Sequence, residues 1–333
     1  MKLIIFILSF ILIVPQSLAQ SSDEKHVILL LWRGVTEAEN GFMDYLKQNE
    51  HVRFTLLDAN RDKAQLQSHI DSLDYKQADL IYTFGTTITR QLLGTFDKPS
   101  EFRLNNPTPT VFSIVTDPIG SKLIASPNDS ARNFTGVSHI VPHEIQFKAI
   151  DKLNNISTVG VIYNAEENNS ILTANKMLEL SETYNKRVIL YPLNIDKNKS
   201  NNELIYNTVN AMKQDGVDIA YLPPDSYIIA QGGEVVSALH AQDIPTFSAT
   251  ESPIRTHEAL FGIVSRYYNV GQFAGYKAER ILKGLQPANE VPIESLSQYS
   301  YIVNINAAKD LDYYPPVSIL KISEVIGNSN DVK

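Results

Sequence analysis

From His26 onward, short unbroken apolar runs alternate with longer stretches in which apolar residues recur every three or four positions. The runs in the first part are His26 to Trp32, Val52 to Leu57, Leu80 to Phe84 and Pro109 to Val115. In the second part they are Thr158 to Asn164, Arg187 to Tyr191, Asp218 to Leu222 and Pro245 to Ser248. Runs this brief, rich in β-branched and aromatic residues, read as strands. Lack of polar alternation within them predicts burial on both faces, as in a parallel sheet. Between them, Glu37 to Gln48, Asp62 to Leu73, His143 to Leu153, Ser170 to Tyr184, Asn202 to Lys213 and Ile228 to His240 carry helical spacing. Strand and helix in alternation predict α/β architecture with right-handed crossovers. Two such series predict two similar domains. Leu260 to Val264, a helix from Val270 to Leu282 and a strand from Tyr301 to Asn304 are expected to complete the two sheets.

Composition narrows the class. The chain has 333 residues, is 43% hydrophobic and carries a formal net charge of −8, with no basic block of the kind that nucleic acid attracts. Lys2 followed by the apolar run Leu3 to Val14 and by Ser17-Leu18-Ala19 reads as a signal peptide over residues 1–19, cleaved before Gln20. The apolar run is shorter than the ~20 residues that a spanning helix needs. There is no cysteine, which excludes disulfides, thiolate catalysis and a lipid-modified Cys at the cleavage point. A soluble, monomeric protein of a bacterial periplasm is expected, with residues 327–333 as a flexible tail.

In open parallel sheets, ligands sit beyond the carboxyl ends of the strands. The residues there are Trp32-Arg33, Gly85-Thr86-Thr87, Thr116-Asp117, Ser138, Asn164, Asp225-Ser226, Thr250-Glu251 and Arg266. The turn after Phe84 is the one the rest is organised around. Gly85 permits a tight turn, a Thr is expected to cap the following helix, and free amides at a helix start favour an anion. Asp117-Pro118 reads as another helix N-cap. Trp32 offers an apolar platform, while Arg33 and Arg266 suit either a carboxylate fork or a salt bridge to Glu37 or Glu251. His139 and His143 stand four apart, but Pro142 between them breaks a shared helical face, so no metal site is expected. Neither G-x-S-x-G, H-E-x-x-H, a P-loop nor G-x-G-x-x-G occurs, and no enzyme or cofactor is expected.

Five segments in order resemble one family. Phe112-Ser113-Ile114-Val115-Thr116-Asp117-Pro118-Ile119-Gly120 is similar to the "FSAVTDPVGAGL" segment of ABC-transporter substrate-binding proteins of the tryptophan and tyrosine type. Asn133 to Ser138 resembles "NVTGVS", Val159 to Asn164 resembles "VGVLYN", and Tyr267 to Gly271 resembles "YYELG". Ala278 to Gly284, followed by Pro287-Ala288, is similar to "AAKILKGEKPA". The resemblance spans roughly residues 26–312. It implies a type I periplasmic-binding-protein architecture, two Rossmann-like lobes with parallel sheets and three interlobe crossings. It divides the chain into lobe 1 at 26–139 plus about 260–288 and lobe 2 at 140–259 plus about 291–325. Carried over by position, it brings Thr86, Thr87, Ser113, Thr116 and Asp117 to the cleft from lobe 1, and Ser138, Asn164, Asp225 and Glu251 from lobe 2. With Trp32, Gly85 and Arg266 from the strand ends, these are the expected ligand residues. The expected ligand is amino-acid-like or an aromatic or amide compound, and the expected partner is an inner-membrane ABC permease. The alternative is a ligand sensor feeding a membrane signalling protein.

Departures bear on the ligand. The family's "GVSD" is Val137-Ser138-His139 here, its "GVDYY" is Val264-Ser265-Arg266-Tyr267-Tyr268, and its "SDTDS" is Ser248-Ala249-Thr250-Glu251-Ser252. Two acids are lost and a base is gained near the expected cleft. A buried α-ammonium needs a carboxylate, which leaves Glu251 or Asp225 as its expected partner.

Overall fold

The computed structural model describes residues 24–74, 77–126, 133–194 and 200–327. The expected signal peptide lies outside them, as does the expected tail beyond Gly327. The first series runs β1 (Lys25–Leu31), α1 (Glu37–Asn49), β2 (Val52–Asp58), α2 (Lys63–Ser72), β3 (Leu80–Phe84), α3 (Gly85–Leu93), α4 (Glu101–Asn105), β4 (Thr110–Val115) and β5 (Phe134–Ser138). The second runs α5 (His143–Asp151), β6 (Thr158–Asn164), α6 (Asn168–Tyr184), β7 (Arg187–Leu193), α7 (Asn201–Gln214), β8 (Ile219–Leu222), α8 (Ser226–Ala230), α9 (Gly232–His240), β9 (Thr246–Ser248), α10 (Glu251–His257) and β10 (Phe261–Val264). The remainder is α11 (Tyr267–Leu282), β11 (Glu294–Ser295), β12 (Ser300–Asn304), α12 (Ile305–Asp310), α13 (Val317–Leu320) and β13 (Ser323–Ile326).

Two sheets result. A six-stranded sheet has the order β11-β5-β4-β3-β1-β2, and a seven-stranded sheet has the order β13-β12-β10-β9-β8-β6-β7. All pairings are parallel except β10 with β12. Each sheet reverses its winding once. The first does so between β1 and β3, and the second between β6 and β8. The chain passes between lobes after β5, after β10 and after β11.

The expected boundaries need correcting at two of these crossings. Phe261 pairs with Phe247 on one side and Val303 on the other, so β10 belongs to the second sheet rather than returning to lobe 1 near Leu260. Lobe 1 resumes at α11. It also keeps Val291, whose carbonyl accepts from Thr135 Oγ1 at 2.8 Å, and β11, where Glu294 pairs with Val137. A four-residue apolar strand carries no mark of which sheet it joins; partner strands decide that.

Lobe 1 is closed by α11 lying on α1. The contact is made by glycines: a Cβ on Gly271 would meet the Ala38 carbonyl oxygen at 1.9 Å, and one on Gly41 would meet that of Tyr268 at 2.1 Å. Val270, Ala274 and Ala278 of α11 are buried in the same core as β1 and β3. At the start of α1, buried Glu39 accepts from the Thr36 amide (2.7 Å), the Thr36 hydroxyl (2.6 Å) and the Tyr82 hydroxyl (2.7 Å). That network ties the β1–α1 turn, and with it Trp32 and Arg33, to β3. Gly271→Ala should therefore lower stability by about 3 kcal/mol, the upper end of overpacking costs, because its new methyl meets backbone that cannot swing aside. Gly275→Ala, whose nearest neighbour is a Tyr45 side-chain atom at 2.9 Å, should cost less. Chemical denaturation of both variants checks this; equal and small losses would contradict the packing described.

Candidate functional site

The strand ends on either side of both winding reversals face one gap. Lobe 1 supplies Trp32 and Arg33 after β1 and Gly85, Thr86 and Thr87 after β3; lobe 2 supplies Asn164 after β6 and Pro224 and Ser226 after β8. The gap holds two adjoining cavities. A smaller one of about 30 Å³ is bounded by Arg33, Phe84, Ile114, Thr116, His139 and Tyr267 among others. A larger one of about 800 Å³ is bounded by Arg61, Arg90, Asn164, Glu166, Glu167 and Tyr227 among others. Trp32, Thr86, Thr87, Asn169 and Ser226 line both. The larger volume falls within the range of small-molecule pockets.

Local structure fixes each group. The Trp32 carbonyl accepts from Arg61 N at 2.7 Å, pinning the end of β1 to the β2 side. Gly85 has φ +77°, a conformation that favours glycine, and α3 starts at that residue with no side-chain cap. The expected Thr cap is thus corrected: the cap position is Phe84, which has no capping oxygen. Thr86 Oγ1 instead accepts from Thr116 N at 3.3 Å. A register shift between Ser113 and Val115, with Ile114 at φ +61°, turns the end of β4 so that Ile114 and Thr116 border the smaller cavity. For a β-branched residue that φ is strained, and such bulges re-aim side chains at strand ends. In lobe 2, α6 also begins without a side-chain cap, so two uncapped helix starts border the larger cavity.

Trp32, Gly85, Thr86, Thr87, Thr116 and Asn164 are thus brought to the gap. Ser113, Asp117, Ser138 and Asp225 line neither cavity. Ser113 is fully buried in β4. Asp117 Oδ1 accepts from the Ile119 and Gly120 amides at 3.1 and 2.8 Å, closing a turn and not the helix expected there. Ser138, expected from lobe 2, is instead the last residue of β5 in the lobe 1 sheet, where its Oγ donates to the Thr116 carbonyl at 2.9 Å and holds the ends of β4 and β5 together. Asp225 is saturated: it accepts from the amides of Asn164 (2.6 Å), Tyr227 (2.9 Å) and Ile228 (2.9 Å) and from the Ser170 hydroxyl. It caps α8 and joins β6 to β8, with no lone pair to spare for a ligand. Glu251 and Arg266 border a third cavity of about 570 Å³, which adjoins the smaller one through Arg33, Ile229 and Tyr267. There Glu251 accepts from Tyr267 N (2.9 Å) and Arg255 Nε (3.1 Å), while Arg266 pairs with Glu324 and donates to Ser300 Oγ (2.9 Å). The Arg266 partner comes from β13, 58 positions along the chain, where sequence spacing gives no hint of it.

Sequence reasoning missed Glu167, Asn169 and His139 as site residues. Glu167 accepts from Ser226 N at 3.1 Å and from Asn164 Nδ2 at 3.5 Å. Burial pushes its carboxyl up to about 7, and the charge of Asp225 pushes the same way. Burial raises Asp225 as well, against the hydrogen bonds it accepts. Because Asp225 accepts from three backbone amides and a hydroxyl, the proton held by the pair belongs on Glu167. Burial lowers His139 to about 3, reinforced by the charge of Arg33. The described residues contain no group of three or more His, Asp or Glu side chains placed to hold a metal.

The profile of the ABC transporter substrate-binding protein family matches residues 30–325. The chain belongs to that family. Its members are extracellular or periplasmic, and among the described residues of this substrate-binding protein no helix is long and apolar enough to cross a membrane. No curated protein sequence matches it. Among solved structures, a conserved domain protein of Vibrio cholerae is 18% identical with a TM-score of 0.77, covering 92% of this chain and 99% of its own. An ABC domain of Streptococcus pneumonia in complex with L-Trp is 22% identical with a TM-score of 0.77, covering 91% and 100%. The ligand-free, open form of a substrate-binding protein with adhesive properties from Clostridium difficile is 20% identical with a TM-score of 0.67, covering 92% and 100%. At these identities the likeness establishes the shared fold.

The site yields a pH prediction. An acid whose folded pKa lies above its unfolded value favours folding below about pH 4.5, and that contribution is lost as pH rises through about 7. Buried Glu39 shifts in the same direction, while the lowered His139, His143 and His240 act oppositely, so the comparison must isolate one group. The melting temperature of Glu167→Gln relative to the unmodified protein should rise by at least about 2 °C between pH 5 and pH 8. A difference that does not change with pH would contradict the assignment.

Proposed function

We propose that this substrate-binding protein works in the periplasm, captures a small ligand between its lobes and delivers it to an inner-membrane ABC permease. The observation that carries this reading is the meeting of strand ends from both winding reversals at one gap, since ligands of open α/β sheets bind at such points. A ligand carboxylate or amide would lie on the Gly85-Thr86-Thr87 turn, with Trp32 as an apolar wall and Asn169 and Ser226 reaching it from lobe 2. Bonds made to both lobes at once would favour the closed arrangement over the open one. Asp225 and Glu251 do not serve a cationic group on the ligand, because both spend their oxygens within the protein. Of the acids that border the larger cavity, Asp62 and Glu166 are exposed, and Glu167 is the one whose carboxyl is raised by burial. On this reading the protein binds without turning its ligand over.

A thermal-shift screen of amino acids and small aromatic or amide compounds tests the proposal. A specific ligand at 100 times its Kd adds about 2.7 kcal/mol to stability. The chain has a single tryptophan, Trp32, so the same compounds should change its emission. Thr87→Ala should weaken binding about tenfold while leaving the apo melting temperature within about 2 °C. Binding that leaves Trp32 emission unchanged and ignores Thr87→Ala would place the ligand elsewhere.

A further inference from the structure

The smaller cavity is lined by donors and by a cation, and no acid lines it. His139, 2% exposed, stands at the first interlobe crossing and borders it. Among the described residues neither of its ring nitrogens makes a well-formed hydrogen bond, and the Val115 backbone is the polar group that approaches the ring. Whichever tautomer is present, one nitrogen carries an N–H. A buried donor without an acceptor is costly and rare. Arg33 borders the same cavity, its guanidinium 5.2 Å above the Phe84 ring, with no carboxylate in ion-pair reach among the described residues. Gly85, Thr86 and Thr87 bring the uncapped start of the nine-residue helix α3 to the same space. The nearby acids are committed: Asp117 to its own turn, Asp225 to α8, Glu251 to Tyr267 and Arg255, Glu39 to Thr36 and Tyr82, and Glu167, which borders the larger cavity, to the Ser226 amide and the Asn164 side chain. A volume of about 30 Å³ has room for about two water-sized oxygens, the number in a carboxylate.

We propose that this cavity seats the carboxylate of an organic acid that bears no ammonium on the adjacent carbon, with Arg33, His139 and the start of α3 as its donors. The remainder of the ligand passes Trp32 into the larger cavity. An α-amino acid is disfavoured because its ammonium would sit beside Arg33 without a carboxylate to meet it. Selectivity then comes from a missing partner as much as from the donors present. This deepens the interlobe reading and rests on it.

Matched pairs separate the two claims: acetate against glycine, and 3-phenylpropionate against L-phenylalanine, titrated by Trp32 emission with calorimetry. In each pair the acid should bind at least tenfold more tightly. Arg33→Met should abolish acetate binding while circular dichroism and melting show an intact fold. His139→Asp removes a donor and adds a negative charge, and should reverse the preference within each pair. If Arg33→Met does not fold, His139→Asn serves instead and should weaken acetate at least fivefold without reversing the order. An amino acid binding as tightly as its acid, or acetate binding untouched by both variants, overturns the assignment while leaving the interlobe site in place. Failure of acetate and 3-phenylpropionate to bind at all also overturns it. If the wider screen of compounds fails too, the interlobe reading falls with it.

Discussion

A parallel strand followed by a helix must turn at the strand's carboxyl end, so every βα turn of a parallel sheet lies along one edge. This chain builds two such sheets and sets the two edges against each other. Everything else about the gap follows from that constraint. At each winding reversal the neighbouring helices part to opposite faces, leaving room between the strand ends. Trp32, Gly85, Asn164 and Ser226 stand beside those openings because of topology, before any of their own chemistry matters.

The polar groups at these turns divide into those that hold the edges in shape and those left open. Asp225, Asp117, Ser138 and Thr86 bond to backbone or to neighbouring turns and fix the strand ends relative to one another. Arg33 has no carboxylate partner among the described residues and reaches only the Phe84 ring and the Tyr267 hydroxyl, while His139 and the amides that open α3 hold no neighbouring turn in place. The division gives the smaller cavity a positive, donor-rich character inside a protein whose formal net charge is −8. Glu251 and Arg266, which a strand-end inspection places with the ligand, are drawn off by Arg255, Glu324 and Ser300. Their ion pairs lie near the second crossing, where β10 hands the chain to α11.

Much of this was legible in the sequence. Unbroken apolar runs such as His26 to Trp32 and Leu80 to Phe84 mark strands buried on both faces, and Gly85 marks the turn at which a ligand is expected. Five family segments in order gave the architecture. What could not be read was anything set by a distant partner. The four residues of β10 suit either sheet equally, and only pairing with Phe247 and Val303 decides. Asp225 looks the same in sequence whether it caps a helix or meets a ligand, because both uses ask for an acceptor at a strand end. In the sequence, His139 stands out only as half of a possible metal pair and as a departure from the family's "GVSD". Its burial beside Tyr267 and Arg33 is a property of packing, visible only in the folded chain. Ile228 to His240 reads as one helix by spacing, yet the structure breaks it at Gln231 into α8 and α9.

The account stands or falls on one ligand touching both lobes at once. Hydrogen exchange, compared with and without a ligand found by the thermal-shift screen, reads this directly. Binding should slow exchange together at the amides of residues 85–87 in lobe 1 and 226–228 in lobe 2, with little change on the outer faces of either sheet. Protection confined to one lobe, or centred on Glu251 and Arg266 instead, would contradict it.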